Sequence, residues 1–160
     1  MLKNGALDLV YTLNPIIEEE GLLLLQKKRE ELAFFASPKH PLAQKKSISE
    51  ADLKNVPLLL TGHNCNFRHM LLEDLKRNGI TPRVALETSS KEVLKQFAIN
   101  QLGVAFMPEM AARAEVKAKK LKRLPWKGAD FEIYSQLVVC KDKRIAAPIE
   151  AFEKMLIEES

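Results

Sequence analysis

The sequence is short of several things, and each shortage closes a class of function. Cysteine occurs only twice in 160 residues, at Cys65 and Cys140. That is too few for the disulfide framework of a small secreted domain, so a reducing compartment is expected. No apolar run is long enough to span a bilayer. The opening stretch MLKNGALDLVYTL lacks the small-residue cleavage pattern of a signal peptide. The expected location is therefore cytoplasmic, with no membrane partner. There is no repeat at solenoid spacing, no low-complexity tract and no long tail of one charge sign. Charge of either sign is also not in large excess. Twenty-five Lys+Arg against 21 Asp+Glu leave a net charge of +4, which tolerates an acidic partner without demanding nucleic acid.

What is present fits a folded α/β chain. Hydrophobic residues make up 46% and charged residues 29%, ordinary values for a globular protein. The length suits one domain with a real core or two small lobes. ALDLVYTL reads as a strand after Gly5, a helix stop. GLLLLQKK and ELAFFASP read as two more strands, joined by a charged turn around Arg29 and Glu30. SPKHPLAQKKS, stiffened by Pro38 and Pro41, reads as a crossing or hinge segment, and Ser49 caps a short helix after it.

An alternating series follows. VPLLLTG is a strand, and NCNFRHMLLEDLKRNG a helix capped by Asn64 or Asn66 and stopped by Gly79. RVALET is a strand, and SSKEVLKQFAINQ a helix opened by the capping box Ser89-x-x-Glu92. GVAFMP is a strand closed by Pro108, and EMAARAE a short helix. KKLKRLPW and FEIYSQLVVC are strand-like. The chain ends in an amphipathic helix with Ile149, Phe152 and Leu156 at helical spacing. Such alternation implies βαβ units and a mostly parallel sheet.

The stretch GHNCNFRHMLLEDL (Gly62–Leu75) carries the densest chemistry. Cys65 and His69 lie one helical turn apart, the spacing of two metal ligands, but only His63, His40 and the distant Cys140 remain to join them. No metal and no cofactor is therefore expected. The same two residues form a candidate Cys–His nucleophile pair, without a recognisable orienting group or oxyanion site. A third reading is anion binding. A helix start leaves backbone N–H groups free and carries positive potential, so it favours carboxylates and oxyanions. At the first such start, Asn64, Cys65 and Asn66 offer N–H and amide groups, and the Arg68 guanidinium can clamp a carboxylate. At the second, Thr88, Ser89 and Ser90 offer hydroxyls. Asn64 and Ser89 serve equally well as plain helix caps, and Arg68 as a solvated surface residue. The run KAKKLKR (Lys117–Arg123) lacks interleaved aromatics and reads as a solvated face, Cys140 as core, and Trp126 and Phe131 take no assigned role.

In order and spacing, NGALDLVYTL, LAFFASPKHPLA, SISEADLKNVPLLL, NCNFRHMLLEDLKRNGITP, ALETSSKEVLKQFAINQLGVAFMPEMAARAEV and LKRLPW resemble the effector-binding domain of LysR-type transcriptional regulators. HPLA followed by LGVAFMP is the strongest pair. The resemblance implies a two-lobe fold of the type II periplasmic-binding-protein kind, with an effector in the interlobe cleft faced by both helix starts. It assigns residues 1–46 and 127–160 to an incomplete first lobe with the crossing strands, and 47–126 to a complete second lobe. Against the family pattern, the chain looks truncated at its N-terminus, without the DNA-reading winged helix and the first strand, helix and strand of the first lobe. It implies a sensor rather than an enzyme, a homodimer formed through first-lobe elements and the helix near Phe67–Lys76, and contact with DNA only through that missing domain. The alternatives are a solute-binding protein serving a transporter and a small α/β enzyme using Cys65 and His69.

Overall fold

A computed structural model describes residue 2 and residues 6–141. The expected C-terminal helix with Ile149, Phe152 and Leu156, and the Gly5 stop, lie outside the described residues. The chain divides into two compact units, Met1–Arg29 with Glu132–Ser160, and Glu30–Phe131.

The first unit holds the three-stranded sheet β1 (Leu9–Asn14), β8 (Ile133–Cys140) and β2 (Leu22–Glu30), in the order β1-β8-β2. β1 and β8 run antiparallel, with Leu9 opposite Val139 and Asn14 opposite Tyr134. Gln136, fully buried on β8, fixes the turn after β1. Its amide donates to the carbonyls of Asn14 (3.2 Å) and Pro15 (2.8 Å), and its oxygen accepts from the Ile17 N–H (3.0 Å). A buried amide is tolerated because every one of those bonds is made.

The second unit is a five-stranded mixed sheet in the order β5-β4-β6-β3-β7. Its strands are β3 (Leu32–Ala36), β4 (Pro57–Leu60), β5 (Arg83–Glu87), β6 (Val104–Pro108) and β7 (Lys122–Arg123). β4 pairs parallel with β5 and β6, while β3 pairs antiparallel with β6 and β7. The expected βαβ units are there. β4 leads through α1 (Asn66–Arg77) to β5, and β5 through α2 (Lys91–Ile99) to β6. α3 (Arg113–Lys117) is a single short turn of helix.

Strand period decides which side chains meet which helix. Ala33, Phe35, Leu59, Ala105 and Met107 share one sheet face and pack with Leu94 and Ala98 of α2. The alternate residues belong to the other face, where Phe106 contacts the rings of Phe34 (4.7 Å), Phe67 of α1 (6.1 Å) and Phe131 (5.2 Å). Both faces of the central strands β3, β4 and β6 are covered, which is why these strands read as continuous apolar runs. Gly103, between α2 and β6, sits against the Pro57 carbonyl and the Leu59 side chain, where a Cβ would collide.

Four expectations on local structure are corrected. Only Glu31 separates β2 from β3, so there is no charged turn at Arg29 and Glu30; the chain leaves one sheet and joins the other as extended backbone. The segment 37–47 is not a hinge. It lies within the second unit, where Pro41–Gln44 form a 3-10 helix that buries Leu42 and Ala43 under the His40 cap. Cys65, not Asn64 or Asn66, occupies the α1 N-cap, and Ser90, not Ser89, caps α2. KKLKRLPW contributes only two residues of strand. Ser49 does cap Glu50–Leu53, with the Asp52 carboxylate accepting from its N–H (2.9 Å) and its hydroxyl (3.3 Å).

The unit boundaries fall at 29/30 and 131/132, so residues 30–46 and 127–131 join the second unit. The cause is pairing. β3 hydrogen-bonds to β6 and β7, and Phe131 packs on Phe106.

Candidate functional site

The loops after β4 and β5 emerge side by side, because Leu60 and Glu87 are paired residues at the ends of parallel strands. The Thr88 N–H donates to the Leu60 carbonyl (3.2 Å) and ties the loops together. Each loop opens a helix, so the positive ends of α1 and α2 meet at the carboxyl edge of the sheet. Open α/β sheets bind ligands at that edge.

The two helix starts differ. At α2 the Ser90 hydroxyl accepts from the Val93 N–H (3.3 Å), and the Thr88 hydroxyl accepts from the Ser90 N–H (3.2 Å). At α1 the N-cap residue, Cys65, makes no side-chain cap hydrogen bond. A helix start of this kind favours an anion. Asn64, Asn66 and Ser89 are exposed, and Cys65, Thr88 and Ser90 are half-buried.

Arg68 is neither a solvated residue nor a free clamp. It is only 6% exposed. Its Nη2 donates to Glu87 Oε2 (2.8 Å), and its Nη1 lies 2.9 Å from His63 Nδ1. His63 Nε2 is 2.9 Å from Glu87 Oε1. A guanidinium can only donate. His63 Nδ1 therefore accepts from Arg68, leaving Nε2–H to donate to Glu87. The three side chains close a ring of hydrogen bonds. Desolvation makes this Arg68–Glu87 pair costly to break from one side.

Two polar atoms at this edge are left over. The Arg68 Nε–H and the Thr61 hydroxyl are buried with no hydrogen-bond partner. Thr61 is the residue directly after β4, and it too is only 6% exposed. Buried polar groups are nearly always paired, so two orphans within one strand end and the next helical turn stand out. Sequence reasoning missed Thr61, Glu87 and the role of His63. The signal for Thr61 was a hydroxyl ending an otherwise apolar strand; for Glu87 it was an acid opposite an arginine one helix earlier.

Cys65 and His69 are not brought together as a nucleophile pair. The His69 Nε2 bonds to the backbone carbonyl of His63 instead. Among the described residues no group of three or more His, Cys, Asp or Glu could hold a metal ion, and no helix is long and apolar enough to cross a membrane.

Comparison with known proteins gives a consistent answer. The family model for the LysR substrate binding domain matches residues 1–160. The HTH-type transcriptional regulator YwqM of Bacillus subtilis (strain 168), named as uncharacterized, is 32% identical over 151 residues, covering 94% of this chain and 51% of that protein. The RuBisCO operon transcriptional regulator of Acidithiobacillus ferrooxidans is 29% identical over 76% of this chain and 39% of its own length. The chain thus spans about half the length, or less, of these relatives. Among solved structures, the CcmR regulatory domain of Synechocystis PCC6803 in complex with 2-PG has a TM-score of 0.83 at 20% identity, over 99% of this chain and 76% of that one. The effector-binding domain of QuiR in complex with shikimate has a TM-score of 0.77 at 19% identity, over 99% and 74%.

Proposed function

This chain belongs to the LysR substrate binding domain family, and on that premise we propose that the carboxyl edge of its second unit binds a small anionic effector. The observation that carries the reading is the pair of orphaned donors, the Arg68 Nε–H and the Thr61 hydroxyl, at the end of β4 and the first turn of α1. A carboxylate or oxyanion would satisfy both and sit on the helix's positive end. Asn64, Cys65 and Asn66 would border it on one side, and Thr88, Ser89 and Ser90 on the other. The structural neighbours were solved with shikimate, itself a carboxylic acid, and with 2-PG, which supports an acid as the ligand class here.

The chain's role in this reading is sensing, without catalysis. The effector would shift the population of conformations by its differential affinity for them. We further propose that the protein is cytoplasmic, that the domain pairs as a homodimer, using the α1 face near Phe67–Lys76, that the first unit contributes to one lobe and the second unit to the other, and that any contact with DNA runs through a separate winged helix. No geometry favours the transporter-linked reading, and the His69 bond to the His63 carbonyl weighs against a Cys65–His69 enzyme.

The test is a thermal-shift screen of small metabolic acids and inorganic anions, followed by affinity measurement on Thr61→Val. Removing an unpartnered hydroxyl should leave the free protein as stable as before, or slightly more so, because an orphaned polar group is lost. Effector affinity should fall about tenfold. Unchanged affinity would remove Thr61 from the site. Arg68→Ala is the poorer probe, since it strands Glu87.

A further inference from the structure

The run KAKKLKR, read from the sequence as a solvated face, shares no residue with the effector edge. With Arg113 it makes a segment, residues 113–123, of six basic side chains and one acid, an excess of five against +4 for the whole chain. The chain's positive charge is therefore concentrated here. The single acid, Glu115, is taken by Lys95 of α2 at 2.6 Å. All six basic residues are exposed. Arg123 pairs with Glu31 (2.8 Å) and Glu109 (2.5 Å), and the Lys122 ammonium donates to the Ala43 carbonyl (2.6 Å). Among the described residues, Arg113, Lys117, Lys119 and Lys120 make no ion pair.

A cavity of about 220 Å³ opens within this patch. Phe35 and Val116 give it an apolar lining, and Glu109, Arg113, Lys117 and Arg123 its charged one. The volume is below the range of small-molecule pockets and suits one large side chain. No aromatic residue lies between Arg113 and Arg123 to stack on a base, which disfavours a single-stranded nucleic acid.

We propose that this surface docks an acidic peptide segment of a partner protein, one apolar side chain of the peptide filling the cavity while its carboxylates meet the unpaired cations. The apolar anchor supplies affinity and the charge supplies steering and register.

Fluorescence anisotropy on the intact chain tests it, with three labelled probes: an acidic heptapeptide with a central phenylalanine, the same peptide with a central alanine, and an oligothymidylate of equal length. The phenylalanine peptide should bind roughly tenfold tighter than the alanine peptide, and both should weaken as salt rises. Arg113→Glu with Lys117→Glu should abolish that binding while circular dichroism stays unchanged; Lys119→Glu with Lys120→Glu, farther from the cavity, should weaken both peptides alike. Equal affinity for the two peptides, tighter binding of the oligothymidylate, or no binding of the phenylalanine peptide at low salt would overturn the proposal. None of these outcomes bears on the effector edge, which shares no residue with the patch.

Discussion

At the scale of single residues, Asp74 shows how burial becomes a dependence on pH. It sits on α1, 8% exposed, with one carboxylate oxygen unpartnered. Burial pushes its carboxyl above the ordinary value of 3.8; the Glu50 carboxylate adds to this and Arg77 opposes it. The folded state then holds the proton more tightly than the unfolded state does. Stability must fall as pH rises from the ordinary value through the raised one, and the cost is fully present above it. Asp74→Asn is expected to stabilise the protein at pH 7 by about 1 kcal/mol, keeping an oxygen for the Asn78 amide. The gain should shrink as pH falls toward 4. Urea denaturation at the two pH values checks this, and a gain independent of pH would assign the effect to something other than ionisation. Arg68 teaches the complementary lesson. Its charge was plain in the sequence, but its partners, Glu87 from the next strand and His63 from the preceding loop, were brought to it by the sheet.

At the scale of elements, the three α-helices among the described residues end in one way with three different residues. α1 closes on Gly79 at φ +70°, with the Ile80 N–H donating to the Leu75 carbonyl (2.8 Å) and the Gly79 N–H to that of Lys76 (3.0 Å). α2 repeats the arrangement with Gln101 at φ +63°, and α3 with Lys119 at φ +56°. This left-handed closure is free for glycine and costs other residues about 1 kcal/mol. Gly79→Ala should therefore lower stability by about 1 kcal/mol, and Gln101→Gly should leave it level or raise it. Thermal melts of the two variants give the comparison, and a loss in both would mean that Gln101 makes contacts outweighing its backbone cost. The same contrast explains what was legible. Gly79 announces a stop in any sequence, whereas Gln101 and Lys119 do not. The helix caps were readable to within one residue, since in SSK two serines compete for one cap and only the loop path selects Ser90; with Val93 at the third helical position, the expected box Ser89-x-x-Glu92 does not form.

At the scale of the whole molecule, the second unit carries a sheet covered on both faces and its own aromatic core. A fragment of residues 30–131 is therefore expected to fold alone and to unfold in one cooperative urea transition. Broad, non-cooperative unfolding of that fragment would show that its core needs the other unit. The sequence by itself determined the strand and helix order of this unit, because apolar period and helix stops are local properties, and the family, because those signals recur in order along the whole chain. It also pointed to the two helix starts as an anion site. Only the tertiary structure decided that residues 37–47 belong to the second unit, that Arg68 is already held by Glu87 and His63, and that Thr61 and the Arg68 Nε–H are left wanting. Each of those depends on which distant backbone or side chain comes within hydrogen-bond reach, and that is set by strand pairing across the sheet, which local pattern does not encode.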